Sequence, residues 1–97
     1  MDTQDLIHID TLCTHYEIEF TFFNQLKQYG LIDLTCIDQQ HFLPKDQLSL
    51  LEKMIRLHHE LEVNLEGVDI IVNLLAKIDA LEAELTSVKN SLRRHMP

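Results

Sequence analysis

The sequence predicts a mainly α-helical protein, with a helix-turn-helix head and small β wing over residues 1–63 and a long C-terminal coiled-coil helix over residues 64–97. Three observations predict it. Two short amphipathic stretches flank a break at Glu17-Ile18. The helical period then disappears between Leu31 and Leu43. From Ile71 to Leu92, apolar residues recur at alternating steps of three and four, the spacing of a coiled-coil seam. A chain of 97 residues buries only about 60–65% of its unfolded surface, so its core is marginal and self-association would add to it.

The elements follow in order. Residues 1–6 form a polar start that is expected to be mostly unordered, and Leu6 to Ile9 alternates weakly enough for one short strand. Asp10 reads as an N-cap for a first helix with Leu12, Cys13 and Tyr16 on its apolar face. Glu19 opens a second helix whose expected stripe is Phe23, Leu26 and Tyr29, extended by Phe20. Gly30 ends it, where a left-handed residue closes a helix. Ile18 plugs the corner between the two.

Leu31-Ile32 and His41-Phe42-Leu43 flank a polar stretch containing Asp38, Gln39 and Gln40, which reads as a β-hairpin wing. Pro44 suits the first turn of a third helix over residues 45–62, with Leu48, Leu50, Leu51, Met54, Ile55, Leu57 and Leu61 on its apolar side. Asn64 is an N-cap for the last helix, and Val63 with Val68 fits a hydrophobic staple. Gly67 weakens that helix only locally.

Charge excludes more than it proposes. Net charge is −8, divided as −5 over residues 1–45 and −3 over residues 46–97. Lys27 is the single base between residues 10 and 42. Non-specific DNA affinity comes almost wholly from neutralised phosphates, and one lysine does not supply the roughly six or more contacts that binders make. An acidic chain is drawn instead to basic protein surfaces.

The N-terminus has no basic region followed by an apolar run, and no stretch approaches 18 apolar residues. The expectation is a cytoplasmic protein without a membrane span, with Cys13 and Cys36 as free thiols. There is no nucleophile elbow and no carboxylate pair in a plausible pocket, and two glycines leave no room for a phosphate loop, so no enzyme and no cofactor is expected. Six histidines invite a metal reading. No HxxxH or CxxC spacing occurs, and the neighbours His58 and His59 diverge by about 100° on a regular helix, so no metal site is expected.

The candidate interaction residues fall in two groups. On the tail, Ile71, Leu74, Ile78, Leu81, Leu85, Val88 and Leu92 form the a/d seam of a homodimer, in either strand direction. In a parallel pair Lys77 would meet Glu82, and Glu84 would meet Lys89. The competing reading folds residues 71–78 back on the head. On the head, Phe22 lies off the expected stripe and should face solvent, where an aromatic is an interface anchor. Glu17, Glu19 and Asn24 flank it, with Glu52 and Arg56 on the third helix as further contacts. Asp10, Asp33 and Asp38 extend the acidic surface or are simply solvated.

The run "IDTLCTHYEIEFTFFNQLKQYGLI" from Ile9 to Ile32 resembles the helix-turn-helix of MerR-type regulators without a gap, and "IRLHHELEVNLEGV" from Ile55 to Val68 resembles the junction after their wing. The resemblance implies a winged helix-turn-helix and a dimerising tail. It departs where those regulators touch DNA: Thr21, Asn24, Gln25 and Leu26 stand where arginines and a tyrosine pair are usual, Glu17 replaces the glycine of the tight turn, and the wing from Asp33 to Gln40 has no base.

A closer resemblance is to the CbpM chaperone-modulator family, carried by Cys13-Thr14-His15, by Arg56-Leu57-His58-His59-Glu60-Leu61 and by the ungapped run to Leu92. That resemblance implies a protein that binds the J domain of a DnaJ-type, CbpA-like co-chaperone and inhibits it. The alternative is a dimeric MerR-like DNA-binding regulator.

Overall fold

The structure is a computed structural model, and residues 5–95 are described. The first four positions of the expected unordered start lie outside them. The order is β1 (Leu6–His8), α1 (Ile9–Tyr16), α2 (Phe20–Gln28), β2 (Thr35–Ile37), β3 (Gln40–Pro44), a 3-10 turn (Lys45–Gln47), α3 (Leu48–Ile55), a π turn (Arg56–Glu60) and α4 (Leu65–His95). The chain is mainly helical, as expected, and 60 Å in its longest dimension.

The helix-turn-helix closes through backbone geometry. Glu17 sits in the left-handed region at φ 55°, and the Ile18 amide donates to the Cys13 carbonyl at 3.0 Å. This is the bond that seals a helix C-terminus. Gly30, at φ 72°, repeats the arrangement on α2, with Leu31 donating to Leu26 and Gly30 to Lys27, both at 2.9 Å. The N-cap of α1 differs from expectation. It is His8, whose Nδ1 accepts the Asp10 amide at 3.0 Å, and Asp10 lies in the first turn. His8 Nε2 therefore carries the proton and donates to Gln40 Oε1 at 3.1 Å. Glu19 holds the N-cap position of α2 without a side-chain capping bond.

The wing is real, but its first strand is Thr35–Ile37. Leu31 and Ile32 are buried in the loop before it. Asp38 (φ 51°) and Gln39 (φ 63°) form a two-residue turn with both central residues left-handed. That turn matches the right-handed twist of a hairpin. β3 pairs on its other side with β1, giving an antiparallel sheet of order β1-β3-β2.

Ile9, Leu12, Ile18, Phe22, Phe23, Leu26, Leu43, Leu51, Met54 and Val68 form one core. The third helix corrects expectation at both ends. It opens as a 3-10 turn in which Gln47 clasps Asp33, accepting its amide and donating to its carboxylate, both at 2.9 Å. It ends in the π turn, closed by the Leu61 amide on the Arg56 carbonyl at 3.1 Å. Beyond that wide turn Leu61 swings out of the core and is 63% exposed.

Asn64 caps α4 as expected, its Oδ1 accepting the Gly67 amide at 2.8 Å. Val63 and Val68 both join the core. α4 then carries two apolar faces. Leu65, Val68 and Val72 pack against the core. At about 100° per residue, Leu74, Leu81 and Leu92 lie on roughly the opposite side. Leu74, Ile78, Leu81, Leu85, Val88 and Leu92 are all exposed, and Ile71 is half-buried at the edge. The fold-back of residues 71–78 is thus confined to the other face, through Val72. Among the described residues, no helix is long and apolar enough to cross a membrane.

Candidate functional site

The π turn decides the site. Its hydrogen bond spans five residues where a regular helix spans four, which widens the backbone locally. His58 and His59 lie in this turn and, against expectation, meet on one surface. Their rings lie 5.0 Å apart and both rest on Phe22, at 5.2 Å each. The His58 ring is nearly parallel to Phe22, at 20°. His58 Nδ1–H donates to the Val63 carbonyl at 2.9 Å, which fixes the ring and its tautomer.

Phe22 is therefore not the solvent-facing anchor that the sequence suggested. It is 5% exposed, in edge contact with Phe23 and covered by the two imidazoles. The α2 stripe runs through Phe22, Phe23 and Leu26, and Tyr29 is exposed. The i, i+4 relation of Phe22 to Leu26 is the helical neighbour relation. Three-residue steps from Phe20 drift off one face. Phe20 is half-buried, with the His41 ring of the wing 5.2 Å away.

An open cleft lies between the helix-turn-helix corner and the π turn, lined by Glu17, Ile18, Glu19, Thr21, Phe22, Gln25, His58 and His59. Of the head residues proposed from sequence, Glu17, Glu19 and Phe22 come together here. Three do not. Asn24 is exposed but lies on roughly the opposite face of α2 from Phe22. Glu52 is engaged by Tyr16, whose hydroxyl donates to it at 2.6 Å. Arg56 lies 4.0 Å from Glu60, an exposed i, i+4 pair. His58 and His59 were absent from the sequence-level set. The Phe22–Leu26 spacing was the available signal, because a buried Phe22 needs a cover from the third helix.

The electrostatics are one-sided. Glu17 and Glu19 are exposed, and no lysine or arginine lines the cleft. Thr21 donates weakly to Glu19 at 3.4 Å. Among the described residues, no group of three or more His, Cys, Asp or Glu side chains is placed to hold a metal. Burial, and secondarily the Asp10 carboxylate, push the half-buried Cys13 thiol above its ordinary range. That favours a packing role over a reactive one. The exposed face of α2 presents Thr21, Asn24, Gln25 and Gln28, with Lys27 as its one base.

This architecture agrees with known proteins. The chain is 28% identical over 97 residues to the chaperone modulatory protein CbpM of Pseudomonas putida strain W619, covering 97% of this chain and 96% of that protein. It is 27% identical to the protein of that name from P. putida strain KT2440 and 24% identical to that of Pseudomonas entomophila strain L48, with the same shares covered. No solved structure matches the chain. The family described as "MerR HTH family regulatory protein" matches residues 7–90, from β1 through the helix-turn-helix and wing into α4. With that span matched and the helix-turn-helix and wing in place, the chain belongs to the MerR helix-turn-helix family of regulatory proteins.

Proposed function

We propose that this protein is a chaperone modulator that binds the J domain of a DnaJ-type, CbpA-like co-chaperone and inhibits it. The observation that carries the reading is the end-to-end similarity to proteins named CbpM. The charge pattern supports it. A helix-turn-helix with one base on its exposed recognition face is poorly suited to phosphate. An acidic surface is well suited to steering towards a basic protein face.

Residues 1–63 act as the partner-binding head in this proposal, and residues 64–97 as the assembly tail. The exposed seam from Leu74 to Leu92 pairs with a second copy.

The test is a calorimetric titration of the protein into the isolated J domain of its own cell's CbpA-like co-chaperone at two salt concentrations, alongside J-domain-stimulated Hsp70 ATPase. Micromolar or tighter binding that weakens with salt and suppresses the stimulation is expected. No heat at either salt sinks the proposal. A second reading, a dimeric DNA-binding regulator, is favoured by the family match. Tight binding to random duplex DNA at low salt in a gel shift would establish it and overturn the charge argument.

A further inference from the structure

We propose that the cleft between the helix-turn-helix corner and the π turn is a receptor for a single arginine side chain presented by a protein partner. The proposal deepens the protein-binding reading by naming the chemistry that the head recognises.

Two independent features select the guanidinium. The first is charge. Glu17 and Glu19 line the cleft, and no lysine or arginine does. The ion pair of a lysine or arginine found among the described residues, Arg56 with Glu60, involves neither of them. The second is shape. An aromatic wall lines the same cleft, His58 and His59 packed over Phe22 with ring centroids 5.0–5.2 Å apart. Phe22 is buried beneath, so the accessible part of the wall is exposed His59 and the half-buried His58. The wall is held from behind by the Phe22 stack and by the His58–Val63 bond. A planar, weakly hydrated cation with several donors stacks on such a surface while its N–H groups reach carboxylates, which a compact ammonium does less well. Gln25 and Thr21 add neutral acceptors at the same cleft.

A metal ion fits worse. The described residues assemble no set of three or more metal donors, and the His58 Nδ1 is committed to Val63.

The test uses the full chain. N-acetyl-arginine amide is titrated into isotope-labelled protein and followed by amide chemical shifts, with the neutral isostere N-acetyl-citrulline amide as control. Saturable shifts at Glu17, Glu19, His58 and His59 with arginine alone are expected. They should weaken about tenfold in the double variant Glu17→Gln/Glu19→Gln, as the loss of two exposed charge contacts implies. Both substituted side chains are exposed, so the melting temperature should hold. Equal shifts from citrulline, or shifts scattered over the surface, would overturn the proposal.

The same double variant is then titrated with the J domain, where about tenfold weaker binding than wild type is expected. Undiminished binding would overturn the cleft as the contact. If arginine amide binds the cleft and the J domain binds nothing, the receptor stands and the J-domain reading falls.

Discussion

The Tyr16 hydroxyl donates to the Glu52 carboxylate at 2.6 Å, fastening the last turn of α1 to α3 across 36 positions of sequence. It is a short, charge-assisted bond between the two helices that flank α2. The bond, then burial, then the Glu52 charge push the Tyr16 phenol up to about 12.

The sign of the pH effect follows. A phenol whose folded-state titration is raised contributes stability that is fully present below the ordinary tyrosine range, about pH 10, and is lost as pH rises towards 12. Urea titrations at pH 8 and pH 11 should therefore show a loss in wild type that is smaller in Tyr16→Phe. At pH 8 the variant should be less stable by about 0.5–1.5 kcal/mol. Equal alkaline losses in both proteins would assign the effect elsewhere.

Gly67 is needed for space. A Cβ there would stand 2.7 Å from Val63 Cγ1 and 3.1 Å from Asn64 Oδ1. Alanine ordinarily favours a helix interior by about 1 kcal/mol. Here it should lower stability by about 1–2 kcal/mol, because the stiff valine of the staple must yield. A variant melting above wild type would show that the staple moves freely.

His8 joins the N-terminus of α1 to the wing. It caps the helix through Asp10 and reaches Gln40 on β3. His8→Ala should lower stability by about 1 kcal/mol, and His8→Ser should recover most of the capping part. Denaturant midpoints of the three proteins decide it.

At the wing tip, Gln39 adopts φ 63° in a turn that prefers glycine. Gln39→Gly should raise the denaturation midpoint, by about 0.5–1 kcal/mol after the entropic cost of glycine in the unfolded chain. A lower midpoint would mean that the Gln39 side chain stabilises the wing.

The tail gives a sharper test. Leu81 and Leu85 are 63% and 55% exposed in the single chain. Leu81→Lys/Leu85→Lys should leave the core intact and halve the mass seen by light scattering. A wild-type mass equal to one chain would remove the seam as a dimer interface.

Local patterns in the sequence determined the helix-turn-helix, the wing, the Gly30 and Asn64 caps and the apolar seam, because each depends on neighbours within a few residues. The acidic head and its scarcity of bases were also legible, since charge needs only counting. Tertiary structure decided where Phe22 points. Its burial depends on His58 and His59, which lie more than thirty positions away in the π turn that ends the third helix. The same holds for the second face of α4. Sequence spacing showed that Leu74 to Leu92 share a stripe, but not that Val68 and Val72 had already claimed the other side of the helix. Residues that meet across the fold are brought together by packing, and packing is cooperative in a way that a local period is not.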